Sequence, residues 1–248
     1  MRTPLRATAA TLGLALLGTL AVTNSATAAP TPPAPECRLV NAQLTATSTP
    51  HPTLNDRFSR HGNTSGQWVG GDSTYSVPLK DGTTAWIFSD TLYGKVTNNT
   101  LSPTDSFFLN NSVVLDDGRR LTTRTAGTAA KPESLVPQDA DKGWYWFGAG
   151  TQMPNGKVQV AALRFQKHGP DIFDFGWTSN HIATFDSRTW KLLSLEPTPS
   201  GHEVQWGSWI QRANGHTLVY GVEDRGASKY SHVAKVLGND LTKQQNWR

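Results

Sequence analysis

The chain has 248 residues, with 23 Lys or Arg and 19 Asp or Glu, so its formal net charge is +4. The basic residues form no run interleaved with aromatic side chains, which argues against nucleic acid or an anionic membrane as a partner. Cys37 is the only cysteine, so an internal disulfide is excluded and burial of a core has to stabilise the fold.

Residues 1–28 have the layout of a secretory signal peptide. Arg2 and Arg6 form a basic start, an apolar stretch extends over about 7–22, and Ala26-Thr27-Ala28 is a small-residue cleavage site. Cleavage there would remove two of the 23 basic residues and lower the net charge from +4 to +2. Because the apolar stretch is shorter than the roughly 20 residues that cross a bilayer, we expect a secreted, extracellular protein without a membrane anchor.

A proline-rich linker is predicted at 29–36, where the sequence APTPPAPE favours extended, solvated backbone. The folded domain is then expected over 37–248, about 210 residues, which is enough for one large β domain. Cys37 lies at its start next to Glu36, whose negative charge would raise the pKa of a thiol. We therefore expect no cysteine nucleophile.

Short strands separated by turns are predicted throughout 37–248. Runs rich in Val, Ile, Thr, Trp, Tyr and Phe recur between Gly, Asn and Asp, and long helical periodicity is absent. The sequence therefore predicts an all-β protein. Four dipeptides supply the positive φ angles of tight hairpin turns: Asp81-Gly82, Asp117-Gly118, Asn155-Gly156 and Asn214-Gly215.

A Trp-Gly element precedes three of these turns, and its intervals suggest a repeat. Gly148 to Gly156 and Gly207 to Gly215 both span 8 residues. A strand that enters by Trp-Gly and turns at Asn/Asp-Gly is typical of the inner strands of a β-propeller blade, although chance hairpins of a β-sandwich would look the same. The three elements are Trp68-Val69-Gly70-Gly71, Trp146-Phe147-Gly148 and Trp206-Gly207.

The spacing of the turns limits the number of blades. Gly82, Gly156 and Gly215 are 74 and 59 residues apart, so three blades fill the chain. Propellers close their ring with roughly four to eight blades. We therefore expect 37–248 to be a β-propeller domain that covers only about three blades and is incomplete at its C-terminal end.

Two aspartates flank the first predicted hairpin. Asp72 lies nine residues before the turn and Asp90 eight residues after it, so an antiparallel pair of strands should bring them to the same rim. Glycosidic hydrolysis needs two carboxyl groups: an acid protonates the leaving oxygen, and a carboxylate activates water or attacks the sugar. On spacing alone, both side chains could instead accept backbone N–H bonds at strand ends.

The passage GGDSTYSVPLKDGTTAWIFSDTLYG, residues 70–94, resembles the opening motif of an actinobacterial family first described as a domain of unknown function and associated with endo-D-arabinanase activity. The resemblance extends over about 55–114 and depends on G-G-D-S and W-I-F-S-D-T at this interval. It implies a five-bladed β-propeller glycoside hydrolase with Asp72 and Asp90 as its catalytic residues. The implied reaction is endo-cleavage of furanoside linkages in D-arabinan, an arabinose polymer of mycobacterial-type cell walls.

The roles of the two aspartates follow only from the resemblance. Asp72 is assigned as base or nucleophile and Asp90 as acid, and the reverse assignment stays open. Carboxyl groups about 5 to 5.5 Å apart would indicate a retaining enzyme, and about 6.5 to 9.5 Å an inverting one.

Sugar sites also need flat apolar surfaces and hydrogen-bonding side chains. Asn111 is favoured, because it lies in the stretch 108–112 that still resembles the family. Tryptophans at repeated blade positions could instead fill the space between blades. The candidates are Trp68, Trp146, Trp206 and Trp209 for stacking, and Asn110, Asn111 and His181 for hydrogen bonds.

No motif for a metal or cofactor is present: the sequence has no His-Glu-x-x-His, no Cys/His ligand spacing and no dinucleotide loop. We expect no cofactor, a monomer, and an extracellular polysaccharide of the arabinan or arabinogalactan type as partner. Two other functions stay open. A non-catalytic carbohydrate- or cell-wall-binding propeller would use up the aspartates in backbone hydrogen bonds, and a structural propeller would show only an apolar patch.

Overall fold

A computed structural model of the chain describes residues 45–248, and antiparallel strands make up most of them. The predicted all-β class is confirmed. The predicted signal peptide, the linker 29–36 and Cys37 lie outside the described residues. Within 45–248, no helix is long and apolar enough to cross a membrane.

The described residues contain one α-helix, sixteen strands and two short 3-10 turns. The helix α1 is Pro52–Thr64, and the 3-10 turns are Gly201–Glu203 and Gln244–Asn246. The strands are β1 Trp68–Gly71, β2 Tyr75–Pro78, β3 Thr84–Phe88, β4 Thr91–Thr97, β5 Thr100–Leu109, β6 Ser112–Asp116, β7 Leu121–Arg124, β8 Ala126–Thr128, β9 Lys131–Glu133, β10 Trp144–Gln152, β11 Val158–Lys167, β12 Phe175–Phe185, β13 Leu192–Pro197, β14 Val204–Ala213, β15 His216–Arg225 and β16 Ser228–Leu237.

Three antiparallel sheets follow one another along the chain. The first sheet has the order β2-β3-β6-β7, the second β10-β11-β12-β13 and the third β14-β15-β16. Between β3 and β6, strands β4 and β5 leave the first sheet and pair with β1 to form a side sheet in the order β1-β4-β5. The strands β8 and β9 form a separate hairpin. This series of meanders is consistent with a propeller-like β fold.

All four predicted hairpin turns are confirmed. Gly82, Gly118, Gly156 and Gly215 have φ angles of 87°, 84°, 89° and 77°, and each connects two paired strands. Glycine adopts this left-handed conformation without the steric cost that a Cβ would add. The Asn/Asp-Gly dipeptides were therefore correct markers of the chain reversals.

The first Trp-Gly element was assigned to the wrong sheet. Trp68–Gly71 pairs with β4 in the side sheet, and the strand that enters the first hairpin is Tyr75–Pro78. The reason is local: Ser73 has a φ of 66°, which turns the chain between β1 and β2. One continuous strand from Trp68 to the turn is therefore excluded.

The second and third Trp-Gly elements are equivalent in the structure. Both contain a bulge, between Phe147 and Gly150 in β10 and between Trp206 and Trp209 in β14. At these bulges the two strands touch, because a Cβ on Gly148 would lie 2.6 Å from the carbonyl oxygen of Gly207. Only glycine permits this approach of one sheet to the next.

The first strands of the three sheets, β2, β10 and β14, lie side by side and run the same way. At their hairpin ends, the backbone N–H of Lys80 donates to Gln152 Oε1 over 2.7 Å. Arg212 Nε donates to Thr151 Oγ1 over 3.0 Å at the same ends of β14 and β10. The starts of all three strands therefore lie together on the opposite rim, which we call the upper rim.

Apolar side chains fill the space between neighbouring sheets, and burial of this surface is the main stabilising contribution. Ile87 and Val113 of the first sheet belong to the same core as Phe147 and Val158 of the second. The core between the second and third sheets contains Ala161, Ile182, Val219, Val236, Leu241 and Trp247.

Two buried asparagines connect each sheet to the next. Asn111, directly before β6, is fully buried; its Nδ2 donates to the carbonyl oxygens of Val136 (3.0 Å) and Tyr145 (2.9 Å). Its Oδ1 accepts from the backbone N–H of Val136 over 2.8 Å. Asn180 on β12 repeats this pattern, since its amide donates to Val204 O (2.8 Å) and accepts from the Trp206 N–H (3.0 Å).

Substitution Asn111→Ala leaves two carbonyl groups and one N–H unpaired in the interior. Because each buried unpaired group costs about 1–3 kcal/mol, we expect the free energy of unfolding to fall by about 3 kcal/mol or more. Denaturant unfolding measures this loss in the free energy of unfolding. The matched control is Asn63→Ala on the exposed surface of α1, where we expect a change within about 0.5 kcal/mol. Equal losses in both variants would contradict the structural role of Asn111.

Candidate functional site

Asp72 and Asp90 are neighbours on the upper rim, where β2 begins and β3 has ended. The backbone N–H of Asp72 donates to the carbonyl oxygen of Asp90 over 3.1 Å, and the N–H of Ser89 donates to the carbonyl oxygen of Asp72 over 3.1 Å. The predicted juxtaposition of the two aspartates is confirmed. Their chemical roles stay a prediction.

Side chains from the next elements hold the carboxylate of Asp90. Its Oδ1 accepts from Trp146 Nε1 over 2.6 Å and from Asn110 Nδ2 over 3.4 Å. Asn110 is itself oriented by Gln138, whose Nε2 donates to Asn110 Oδ1 over 3.2 Å. The second oxygen of Asp90, Oδ2, accepts no hydrogen bond from the described residues. That oxygen is therefore available to a ligand.

The pKa of both carboxyl groups is raised above its usual range. For Asp90 the main cause is burial, the charge of Asp72 adds to it, and the hydrogen bonds from Trp146 and Asn110 oppose it. For Asp72 burial is again the main cause, opposed by the backbone of Asp90 and the hydroxyl of Ser73. A carboxyl group with a raised pKa keeps its proton to higher pH, which is what a general acid requires.

Ser89 fixes the aspartate pair to the second sheet. Its buried hydroxyl donates to the carbonyl oxygen of Phe147 over 3.1 Å and accepts from the Phe147 N–H over 2.9 Å. Trp146 is the preceding residue, so this backbone contact also sets how its indole reaches Asp90. Aromatic neighbours hold the ring: the centroids of Phe165 and Phe175 lie 4.3 Å and 5.3 Å away.

The structure brings together four of the residues predicted from sequence: Asp72, Asp90, Asn110 and Trp146. It places Asn111 and Trp68 in the interior, which contradicts a contact with substrate. Both N–H groups of the Asn111 amide donate to backbone carbonyl oxygens, and its Oδ1 accepts from a backbone N–H.

Trp68 is 7% exposed and packs against Phe58 and Phe88, with ring centroids 5.3 Å and 4.9 Å away. It therefore fills a core between α1 and the sheets, which is the structural alternative considered for the tryptophans. Its indole has no surface on which a sugar could stack.

The remaining candidates lie away from the aspartate pair. His181 is half-buried edge-on to Tyr145, with the ring centroids 5.3 Å apart, and burial lowers its pKa. Trp206 lines a separate cleft on the upper rim. Trp209, which is 49% exposed, lies further along β14 toward the hairpin end.

Sequence reasoning missed Gln138 and Ser89, which position the site. Gln138 lies in no recognisable motif. Ser89 lies inside the W-I-F-S-D-T motif next to Asp90, but nothing in the motif indicated that its side chain contacts the second sheet. Among residues 45–248, no three His, Cys, Asp or Glu side chains are grouped as metal ligands.

A family model described as a domain of unknown function (DUF5005) matches residues 55–248. The chain belongs to the DUF5005 family. No curated protein matches it. The aspartate pair and both buried asparagines lie inside the DUF5005 region.

Among solved structures, the DUF5005 chain is similar to a protein from Bacteroides ovatus described as a putative hydrolase. The match has a TM-score of 0.59 and 20% sequence identity, and covers 78% of this chain and 53% of that chain. The chain thus spans about half the length of that structure. At this identity the likeness shows a shared fold.

Removal of the Trp146 indole N–H should change the pKa of Asp90. In Trp146→Phe we expect the pKa of Asp90 to rise further, because a hydrogen bond that stabilises the carboxylate is lost. Carbon-13 NMR titration of the aspartate carboxyl groups measures this. The matched control is Trp144→Phe, since the ring of Trp144 lies 5.9 Å from that of Trp146 but its buried Nε1 has no hydrogen-bond partner. The same pKa in both variants would contradict the assigned contact.

The raised pKa of Asp90 also predicts a pH-dependent stability. A carboxyl group with a raised folded-state pKa stabilises the fold below its unfolded pKa, near 3.8, and this contribution is lost as pH rises through the folded pKa. Asp90→Asn removes the charge and keeps an oxygen for Trp146, so we expect a higher melting temperature than wild type at pH 7. The difference should shrink toward pH 4. A variant less stable than wild type at pH 7 would refute this explanation.

Proposed function

We propose that this chain is a secreted glycoside hydrolase that cleaves furanoside linkages within cell-wall D-arabinan. The observation that carries the proposal is the cross-strand pair Asp72 and Asp90 on the upper rim, both with a raised pKa. Two carboxyl groups in unlike environments are what glycosidic cleavage requires. The description of the similar Bacteroides ovatus protein as a putative hydrolase supports the reaction class.

The different surroundings of the two carboxyl groups favour one assignment of roles. Asp90 is the more enclosed, and the charge of Asp72 adds to the rise of its pKa, so Asp90 suits the acid that protonates the leaving oxygen. Asp72 is the more exposed of the two and suits the base or nucleophile. Trp146 and Asn110 hold Asp90 in place, which reduces the entropy that must be lost when substrate binds.

We also propose that the three sheets are successive blades of a five-bladed β-propeller, of which the chain covers about three. In the third sheet, Ile210, Val219 and Ala234 face the second sheet and are buried. The other face exposes apolar side chains, with Trp209 49% and Val233 57% exposed. A further sheet packed on this open face would bury them as the other sheet faces are buried.

The rest of the proposal concerns the setting of the enzyme. The segment 1–28 would act as a signal peptide, and the protein would meet arabinan or arabinogalactan outside the cell as a monomer that needs no cofactor. The alternative is a non-catalytic carbohydrate-binding propeller. It is favoured by the engagement of Asp90 Oδ1 with Trp146 and Asn110, since a fixed carboxylate can also serve as a hydrogen-bond acceptor for a sugar.

Digestion of mycobacterial arabinogalactan tests the proposal. We expect the protein to release oligosaccharides, and Asp72→Asn and Asp90→Asn each to lower the rate by about 10²–10⁴-fold, the usual contribution of a general acid or base. The matched control is Asp56→Asn on the exposed surface of α1, which should keep full activity. If the folded, full-length protein releases nothing from any furanoside polymer, the binding module replaces the enzyme.

A further inference from the structure

A cleft opens on the upper rim at the start of β14. It has a volume of about 470 Å³, and its lining includes Trp206, Glu223, Arg225, His232 and the turn Gly201–Glu203. None of these residues contributes to the aspartate pair. Because β10 lies beside β14 and carries Trp146 near its start, the cleft and the pair open on the same rim, with the second sheet between them.

A fixed carboxylate forms the polar wall of the cleft. The Glu223 side chain is only 12% exposed; its Oε1 accepts from Arg225 Nε over 2.6 Å and its Oε2 accepts from His232 Nε2 over 3.1 Å. The hydrogen bond from Arg225 holds the pKa of Glu223 below its usual range, and the bond from His232 adds to this. Oε1 is contacted by both Nε and a terminal nitrogen of Arg225, whereas Oε2 keeps a lone pair for a hydroxyl group of a ligand, and Arg225 has further N–H groups to donate to an adjacent one.

A fixed aromatic ring forms the apolar wall. Trp206 is half-buried, and the rings of Trp247 and His232 lie against it edge-on, at centroid distances of 5.9 Å and 6.5 Å. An indole that cannot rotate offers a flat surface to the C–H face of a sugar ring. Together with Glu223 and Arg225, it supplies both kinds of contact that a sugar needs.

The turn that leads into the cleft is strained. His202 and Glu203 have φ angles of 59° and 56°, a left-handed backbone conformation that non-glycine residues adopt only at a cost in free energy. Asn180 holds the flanking backbone, since its Nδ2 donates to the carbonyl oxygens of Pro199 and Val204 over 2.9 Å and 2.8 Å. The cleft is therefore shaped by the fold before any ligand binds.

We propose that this cleft is a subsite for a neutral glycosyl residue with adjacent hydroxyl groups. The bound residue belongs to the same polysaccharide as the bond that the aspartate pair cleaves, but lies several residues away from that bond. This inference rests on the proposed function for the identity of the polymer. The subsite selects for length: a chain long enough to cross the second sheet reaches both places, and a short one reaches only the aspartates. The lining holds two carboxylates, Glu203 and Glu223, against one guanidinium, Arg225, and this excess of negative charge disfavours uronic acids.

Calorimetric binding of D-arabinan oligosaccharides tests the subsite, with Asp72→Asn present in every protein so that no substrate is cleaved. We expect Trp206→Ala to weaken binding of long oligosaccharides about tenfold or more and Glu223→Gln to weaken it several-fold, because stacking and charged hydrogen bonds are lost. Trp206→Phe keeps an aromatic ring and should bind better than Trp206→Ala. Unfolding curves establish that each variant is folded.

The matched control is Trp209→Ala, the same change on the same strand but toward its hairpin end. It should leave the affinity unchanged. Equal affinities of Trp206→Ala and Trp209→Ala would overturn the subsite. In proteins with both aspartates intact, Trp206→Ala should raise KM on the polymer without changing kcat. Hydrolysis of short aryl arabinofuranosides should also be unchanged.

The two proposals fail in different ways. Hydrolysis that depends on Asp72 and Asp90, with no effect of Trp206 on binding, would refute the subsite and keep the enzyme. Binding that depends on Trp206 without hydrolysis by any variant would refute the enzyme and leave the cleft as a carbohydrate-binding site.

Discussion

The contact of the first sheet with the second through Ser89 and Asn111 sets the geometry of everything on the upper rim. Both residues are buried, and each exchanges hydrogen bonds with the backbone of the next element, Ser89 with Phe147 and Asn111 with Val136 and Tyr145. Apolar contacts alone would let one sheet slide on another, because dispersion and hydrophobic burial are not directional. The polar contacts permit a single register, and in that register the indole of Trp146 meets Asp90.

The structure separates stability from chemistry by position along each strand. The middle of the strands carries the apolar residues that fill the space between sheets, while the carboxyl, amide and indole groups lie on the upper rim, at or next to strand ends. The aspartate pair and the cleft beside Trp206 both lie on the upper rim, at strand ends that the sheets hold in place. Two carboxyl groups with raised pKa values lower the stability of the fold when they are ionised. The apolar core beneath the rim offsets this loss of stability.

Sequence patterns predicted the features that depend on local chemistry. The positive φ angles at the Asn/Asp-Gly turns are properties of those residues, and the meeting of Asp72 with Asp90 follows from antiparallel pairing around one such turn. The separation of Trp68–Gly71 into a side sheet could not be predicted, because it depends on the left-handed backbone of Ser73, a residue type that rarely adopts it. The hydrogen bond between His232 and Glu223 joins two strands, and the sequence spacing of the two residues does not predict it.

Asn111 shows how a correct pattern can be given the wrong meaning. Its place in the stretch 108–112, which resembles the family, favours a contact with sugar, but the residue is buried and bonded to backbone groups. A comparison of the blades would have helped: Asn111 and Asn180 are each followed six residues later by a turn aspartate, Asp117 and Asp186, whose carboxylates accept backbone N–H groups. Repetition at equivalent places in two sheets indicates a structural role.

The proposed roles of Asp72 as base and Asp90 as acid can be read from the pH dependence of kcat/KM for the release of reducing ends from D-arabinan. We expect a bell-shaped profile, in which the acidic limb reports ionisation of Asp72 and the basic limb reports loss of the proton from Asp90. In Trp146→Phe the basic limb should move to higher pH, because the pKa of Asp90 rises. A profile without a basic limb, or one unaffected by Trp146→Phe, would rule out this pairing of roles.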